Sequence, residues 1–273
     1  MTTRLERPLL LAGCGKMGSA MLTGWLESGV AAAGVWIVEP QGAAQFDGRP
    51  AVHVVADTDS LPSDLDPEVV VFAVKPQIMD AVAPAYARFS KPSTLFLSIA
   101  AGTPIRFFEE RLGATAAMVR AMPNTPAAIG RGITVLCPNA RASAAQLAQA
   151  EALLSAVGEA VSIDDEALMD AVTALSGSGP AYVFLLIETM AKAGEAAGLP
   201  RALAERLALV TVSGAGQLAQ GSDEAPAQLR ENVTSPGGTT YAALQVLMAD
   251  PGMQDLMTRA IDAATRRGRE LAG

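Results

Sequence analysis

The sequence predicts a two-part α/β protein: an N-terminal doubly wound sheet over residues 1–163, then an all-helical domain over residues 164–273. Three observations carry that reading. Short β-rich runs alternate with helical patterns as far as Ile163, a glycine-rich turn follows the first run, and from Asp164 onward strand signals give way to successive helical patterns.

Pro8 to Ala12 opens the sheet and Met17 to Ser28 forms the first helix. Val35 to Val38, Ala51 to Val55 and Val69 to Val74 are short, β-branched runs of the kind that central strands need. A helix over Gln77 to Phe89 leads to a strand over Thr94 to Ser98, and a helix over Pro104 to Leu112 leads to a strand over Ala117 to Arg120. Gly132 to Leu136 and Glu159 to Ile163 read as two further strands around a helix at Ser143 to Val157. This alternation is the pattern of a parallel sheet wrapped by helices.

In the second part, Pro180 suits the first turn of a helix that runs to Gly198, and Ala181 to Ile187 is apolar on every side. Such a helix must be surrounded. A helical domain of about 110 residues struggles to bury that much alone, so a second subunit is expected to supply cover, in a homodimer or larger homo-oligomer. Packing within the chain is the alternative. A later helix starts near Tyr241 and continues through Ala242, Leu244, Leu247 and Met248, with Thr239 or Thr240 as its cap.

Composition narrows the function. Half of the 273 residues are apolar, yet no run reaches the roughly 18 uninterrupted apolar residues of a membrane span. The charged stretch Met1 to Arg7 leads into Leu9 to Gly13 without the long apolar core of a secretion signal, so a cytoplasmic protein without a membrane partner is expected. A net charge of −8 argues against nucleic acid, and Arg266, Arg267 and Arg269 suit the last turn of a helix. Cys14 and Cys137 offer no disulfide framework, and the lone His53, in a strand, has no second histidine with which to build a zinc site or a Ser-His-Asp triad. No metal is expected. If the protein is an enzyme, a cofactor carries its chemistry.

Gly13-Cys14-Gly15-Lys16-Met17-Gly18 is a G-x-G-x-x-G turn between a strand and a helix, which makes the first part Rossmann-like. The glycines allow a tight turn, close approach of a dinucleotide diphosphate and close helix packing, with the diphosphate on the helix N-terminus. Glu39 ends the second strand about twenty residues further on, where a carboxylate accepts hydrogen bonds from an adenosine ribose and repels a 2′-phosphate. That favours NADH, while Arg49 would serve as a phosphate partner for NADPH; a solvated charge at a strand end is the plainer reading of Glu39. Ala73, Val74, Lys75 and Pro76 end a further strand at the same sheet edge, and Ala101 follows another, which places both beside the cofactor.

Asn232 to Thr240 is rich in hydroxyls and glycines and has no basic side chain. Backbone N–H groups near Gly238 and Thr239, at the mouth of a helix, make an anion site suited to a carboxylate; Ser235 adds a donor and Thr240 a hydroxyl that donates and accepts. A Pro-Gly turn with a plain threonine cap is the structural alternative. Gly13 to Gly18, Ala73 to Pro76, Met122-Pro123-Asn124-Thr125-Pro126, Ser176-Gly177-Ser178-Gly179-Pro180 and Val233 to Thr240, in this order over nearly the whole chain, together resemble the 1-pyrroline-5-carboxylate reductases. The resemblance implies a dinucleotide-binding domain followed by a helical dimerisation domain, dimers often assembled into decamers, and NAD(P)H-dependent reduction of 1-pyrroline-5-carboxylate to L-proline, which completes proline biosynthesis. It further implies that Thr240 hydrogen-bonds the substrate ring nitrogen, that Ser235, Gly238 and Thr239 receive the carboxylate, that Asn232 lies close to the nicotinamide and that Glu166 approaches the substrate. From the residues alone, Glu166 is only an acidic group in a first helical turn.

Many members of that family prefer NADPH and carry small polar residues where this chain has Glu39, so family habit and the ribose argument diverge. Asp57, after the third strand, likewise supplies no positive charge. Two other functions fit the first glycine loop: a reductase of the β-hydroxyacid dehydrogenase type, which calls for a catalytic lysine where only Lys192 is available, in what reads as a crowded apolar helix, and a non-catalytic dinucleotide sensor, which has no use for the late anion site.

Overall fold

A computed structural model describes residues 4–272; Met1 to Thr3 of the charged N-terminal stretch lie outside the described residues. The chain divides into two compact units, one running to Gly177 and including the stretch from Thr265 onward, the other Ser178–Ala264. These units divide later than the composition does. The change at residue 163 marks where strands end, but Glu166 to Gly177 still packs with the first unit: Met169 is fully buried in a core cluster that contains Phe72 and Cys137.

The first unit is built on one eight-stranded sheet, ordered β3-β2-β1-β4-β5-β6-β7-β8. Its strands are β1 (Leu9–Ala12), β2 (Val35–Val38), β3 (Val52–Val55), β4 (Val69–Phe72), β5 (Leu95–Ser98), β6 (Ala117–Met122), β7 (Gly132–Pro138) and β8 (Gly158–Ser162). Its helices include α1 (Lys16–Ser28), α2 (Pro76–Val82), α3 (Ile105–Leu112) and α4 (Ala144–Ser155). Every strand pairing is parallel except β6 with β7. The expected parallel sheet has one antiparallel pair, for a simple reason. Only Pro123 to Arg131, with a short 3-10 turn at Thr125–Ile129, joins those strands, whereas a parallel return needs a crossover of a dozen residues or more.

Alternating residues of the central strands feed two cores. Leu9 and Leu11 pack with Met21, Leu22 and Trp25 on one face; Leu10 and Ala12 pack with Phe72, Phe96 and Phe108 on the other. Burial on both faces explains why these strands read as continuous apolar runs. The helix expected over Gln77 to Phe89 is two pieces, α2 and a 3-10 stretch Ala83–Phe89, because Pro84 lacks an N–H to continue the α-helical ladder. Ser143 caps α4 in a reciprocal capping box with Gln146.

Beyond β8 the chain forms α5 (Met169–Val172), a π-helical stretch Thr173–Gly177, then α6 (Gly179–Ala196). In the second unit α6 is followed by α7 (Arg201–Gln220), α8 (Pro226–Asn232) and α9 (Thr239–Leu247), while α10 (Met253–Ala272) runs into the stretch assigned to the first unit. Helices α6 and α7 approach closely where a Cβ on Gly194 would lie 3.2 Å from the Ala204 methyl. Of the described apolar side chains in the second unit only Ala191, Ala204 and Ala208 are buried, whereas Phe184, Leu209, Val210 and Leu218 are exposed. By length and composition, the helical stretch Glu166–Ala196 holds a window apolar enough to cross a membrane, with mean hydropathy 1.3 and 6 % of it buried.

Candidate functional site

The chain runs from β1 outward to β2 and β3, then returns to β4 on the other side of β1. This reversal opens a crevice at the carboxyl ends of β1 and β4, where ligands bind in such sheets. Two cavities occupy it. One, of about 620 Å³, is lined by Gly15, Lys16, Met17, Ala73, Val74, Lys75, Pro76 and Ala101, with Met122 to Thr125 and Gly177 on its far wall. The other, of about 400 Å³, is lined by Gly13, Val38, Glu39, Asp57, Val74 and Ile78 among others, and Val74 is common to both.

The three glycines of the turn have three different surroundings. Gly13 has φ +88°, and a Cβ there would stand 2.6 Å from Val74 Cγ1. A Cβ on Gly18 would stand 2.8 Å from the Gly13 carbonyl oxygen, so this glycine lets α1 pack on the turn. Gly15 has nothing within 4 Å of the same position and is exposed on the cavity side. A tight turn, a close helix contact and an open approach are what a diphosphate cradle requires, and the N-terminus of α1 supplies N–H donors there. The residues present therefore fit a dinucleotide.

Cys14, the remaining residue of the turn, turns inward. Burial pushes its thiol up from the ordinary range, an effect that Ser19 beside it partly offsets. Its backbone N–H donates to Glu39 Oε2 at 2.9 Å, which ties the glycine turn to the end of β2. Lys16 and Lys75 are exposed and line only the larger cavity. Arg49, considered as a phosphate partner, does not line either cavity; its guanidinium lies over the Phe46 ring, 5.6 Å from the centroid.

The sequence assigns Met122 to Thr125 and Gly177 no contact with a ligand, and the fold brings them to the cavity wall. Asn124 holds that wall: its Oδ1 accepts from Ile133 N at 3.0 Å and its Nδ2 donates to Ser176 Oγ at 3.3 Å. Glu166 is engaged elsewhere. Its Oε1 accepts from Arg120 Nη1 at 2.8 Å and from Ile105 N at 2.8 Å, so a buried arginine of β6 and the first turn of α3 share one carboxylate oxygen. That pair anchors the end of the loop that contains Ala101.

In the second unit, the turn before α9 differs in detail from expectation. Gly238, not a threonine, is the N-cap, and no side chain caps the helix. The Gly238 N–H donates to Ser235 O at 3.0 Å, closing a turn in which Gly237 has φ +69°. The first helical bond runs from Ala242 N to Gly238 O, so the amides of Thr239, Thr240 and Tyr241 precede the ladder. The N–H groups outside the helical ladder thus begin one residue later than Gly238, and the threonine hydroxyls are not spent on capping. Thr240 is half-buried and Ser235 exposed. Asn232 is held locally, donating to Glu224 Oε2 and accepting from Gln228 Nε2, each at 2.9 Å. Lys192 is not crowded by apolar groups as expected: it is 71 % exposed and paired with Glu188 at 2.6 Å. His53 is exposed and stacks on Trp36, with ring centroids 4.4 Å apart, and both cysteines are free and buried. Among the described residues no group of histidine, cysteine and acidic side chains could hold a metal ion.

The family model described as pyrroline-5-carboxylate reductase dimerisation matches residues 166–271, and the model described as NADP oxidoreductase, coenzyme F420-dependent, matches residues 9–102. The chain is 47 % identical to a pyrroline-5-carboxylate reductase of Pseudomonas aeruginosa over 95 % of both chains, and 41 % identical to one of Synechocystis over 96 % of this chain and 97 % of that one. The structure of a pyrroline-5-carboxylate reductase from Coxiella burnetii superposes with a TM-score of 0.90 at 32 % identity, covering 98 % of this chain and all of the other. That of a Plasmodium falciparum pyrroline carboxylate reductase with NADP bound does so at 0.82 and 28 %, covering 99 % and 100 %. With nearly half its residues shared over almost its full length, the chain belongs to the pyrroline-5-carboxylate reductase family.

Proposed function

We propose that the chain reduces 1-pyrroline-5-carboxylate to L-proline with a reduced nicotinamide dinucleotide, NADH or NADPH, the last step of proline biosynthesis. The observation that carries the reading is the start of α9, where Thr239, Thr240 and Tyr241 amides precede the helical ladder beside three hydroxyls and no basic side chain. Such a site receives a small carboxylate through backbone N–H groups and the helix dipole. When bound, the reduced nicotinamide supplies the hydride that the imine carbon accepts.

The protein's part is positioning. The α9 amides and the Ser235 hydroxyl grip the carboxylate, with Gly238 shaping the turn, and the Thr240 hydroxyl hydrogen-bonds the ring nitrogen. A protonated imine is already electrophilic, so Thr240 orients the C=N bond and leaves the proton on nitrogen; an unperturbed hydroxyl is a poor acid at neutral pH. Gly13 to Gly18, Ala73 to Pro76 and Ala101 hold the dinucleotide, and Asn232 borders the nicotinamide. The chemistry requires donor and acceptor to come within about 3–3.5 Å, within one chain or across two. Glu166 holds the cofactor loop through Oε1, engaged by Arg120 and Ile105, and, as the family resemblance implies, lies beside the substrate.

The chain would work in the cytoplasm as a homodimer or larger homo-oligomer, with no nucleic-acid or membrane partner. The exposed apolar side chains of α6 and α7 support the oligomer, and the net charge of −8 supports the absence of nucleic acid. A lysine-dependent hydroxyacid dehydrogenase loses its candidate, since Lys192 is surface-paired with Glu188. The test is Thr240→Ala: kcat with 1-pyrroline-5-carboxylate should fall by roughly 10–100-fold while dinucleotide affinity changes less than about twofold. Parent-like turnover would remove Thr240 from the mechanism.

A further inference from the structure

The adenosine end of the crevice carries more selectivity than Glu39 alone suggests. The 400 Å³ cavity is bordered by two carboxylates, Glu39 at the end of β2 and Asp57 just after β3, and no lysine, arginine or histidine lines it. Both are fixed by hydrogen bonds. Glu39 Oε2 accepts from Cys14 N at 2.9 Å and Oε1 from Gln41 N at 3.2 Å, so the carboxylate cannot swing away without releasing the glycine turn. Asp57 Oδ1 accepts from Ser60 N and Ser60 Oγ at 2.9 and 2.8 Å, and these bonds hold its carboxyl below the usual range, so it is ionised at neutral pH.

Two exposed arginines outside that lining have contacts of their own. Arg49 lies over Phe46, while Arg88 donates to the Thr58 carbonyl at 3.0 Å and stacks on Phe89. Lys16 and Lys75 border the other cavity, lined by the second glycine of the turn. Among the residues that line the two cavities, the lysines thus fall on the larger one and the carboxylates on the smaller. An unmodified ribose offers O–H donors, which carboxylates accept; a 2′-phosphate brings nearly two negative charges and only acceptors.

We propose that this chain selects NADH over NADPH, with Glu39 as the principal determinant and Asp57 as a second repulsive charge against the 2′-phosphate. The proposal rests on reading the crevice as the dinucleotide site, and the test separates the two. Dissociation constants for NADH and for NADPH are measured by titration calorimetry on the full-length chain without substrate, so that binding is read independently of turnover. NADH should bind on the order of 100-fold more tightly than NADPH. Glu39→Ser should weaken NADH by about tenfold and strengthen NADPH, which brings the ratio near unity or inverts it. Asp57→Asn, at an exposed position where the amide can still accept from Ser60, should leave NADH within about twofold and strengthen NADPH several-fold. Glu39 also secures the glycine turn, so melting temperatures accompany each titration, and Asp57→Asn supplies the answer should Glu39→Ser fail to fold. Equal affinities in the parent, tighter NADPH binding, or an affinity ratio that neither substitution moves would overturn the selectivity. Binding of neither dinucleotide would overturn the site itself.

Discussion

The two units of this protein solve the same problem differently. In the first, side chains as large as Trp25, Phe72 and Phe108 are wholly buried, and the sheet closes its own cores on both faces. In the second, the described buried apolar residues are three alanines, while Phe184 is 64 % and Leu218 63 % exposed. One unit is complete as a fold and the other is not. Each exposed apolar side chain left in water forgoes roughly 1.5–3 kcal/mol of burial, so association that covers this face stabilises the helical unit.

Placing a charge on the apolar face breaks that comparison most severely. Phe184→Asp should weaken self-association by on the order of 100-fold or more, seen in sedimentation velocity as a shift to monomer, with dinucleotide affinity nearly retained. Unchanged assembly would mean that this face is not the interface. The next effect lies inside the self-contained unit. Gly13→Ala sets a methyl 2.6 Å from Val74 Cγ1 at a left-handed φ, and should cost about 2 kcal/mol or more of stability, measured by denaturant unfolding. Gly15→Ala, facing open space, should leave the melting temperature alone and reduce dinucleotide affinity by on the order of tenfold. Equal loss of stability in both variants would contradict the assignment of separate tasks to the two glycines.

A smaller effect is expected at the buried arginine. Arg120→Met leaves Glu166 with the Ile105 amide alone and should cost roughly 1–2 kcal/mol, less than a fully buried pair because Glu166 is 31 % exposed. If Glu166 acts by holding the loop, Arg120→Met should raise the KM for dinucleotide more than the KM for imine. The smallest effect concerns Cys14. With its thiol pushed up by burial, it should alkylate slowly near pH 7, and faster as pH rises toward the thiol's raised range; peptide mass spectrometry after timed iodoacetamide exposure would show it. Rapid modification at neutral pH would contradict a buried, protonated thiol.

Much of this was legible in the chain itself, for local reasons. Val35–Val38 begins and ends where its β-branched run does, and the glycine turn sits where a strand meets a helix, because backbone strain and apolar continuity are written residue by residue. Long-range partners were not. Nothing in the spacing joins Arg120 to Glu166, returns β7 antiparallel to β6, or brings Met122 to Thr125 onto the cavity wall, since those depend on how the sheet is assembled. The late turn was half visible: its glycines marked a turn at the mouth of a helix, but the bond from Gly238 to Ser235 takes one expected donor and moves the cap to glycine. The pairing of Glu39 with Asp57 required β2 and β3 to be neighbours, which the parallel register supplies.

The most direct test of the central claim follows a labelled hydrogen. The purified chain is given 1-pyrroline-5-carboxylate and reduced dinucleotide that carries deuterium at both C4 positions of the nicotinamide, and the product is analysed by mass spectrometry and NMR. The account predicts L-proline with a single deuterium at the former imine carbon in the parent, formed much more slowly in Thr240→Ala. Consumption of neither reactant, or proline whose new C–H bond comes from solvent, would contradict it.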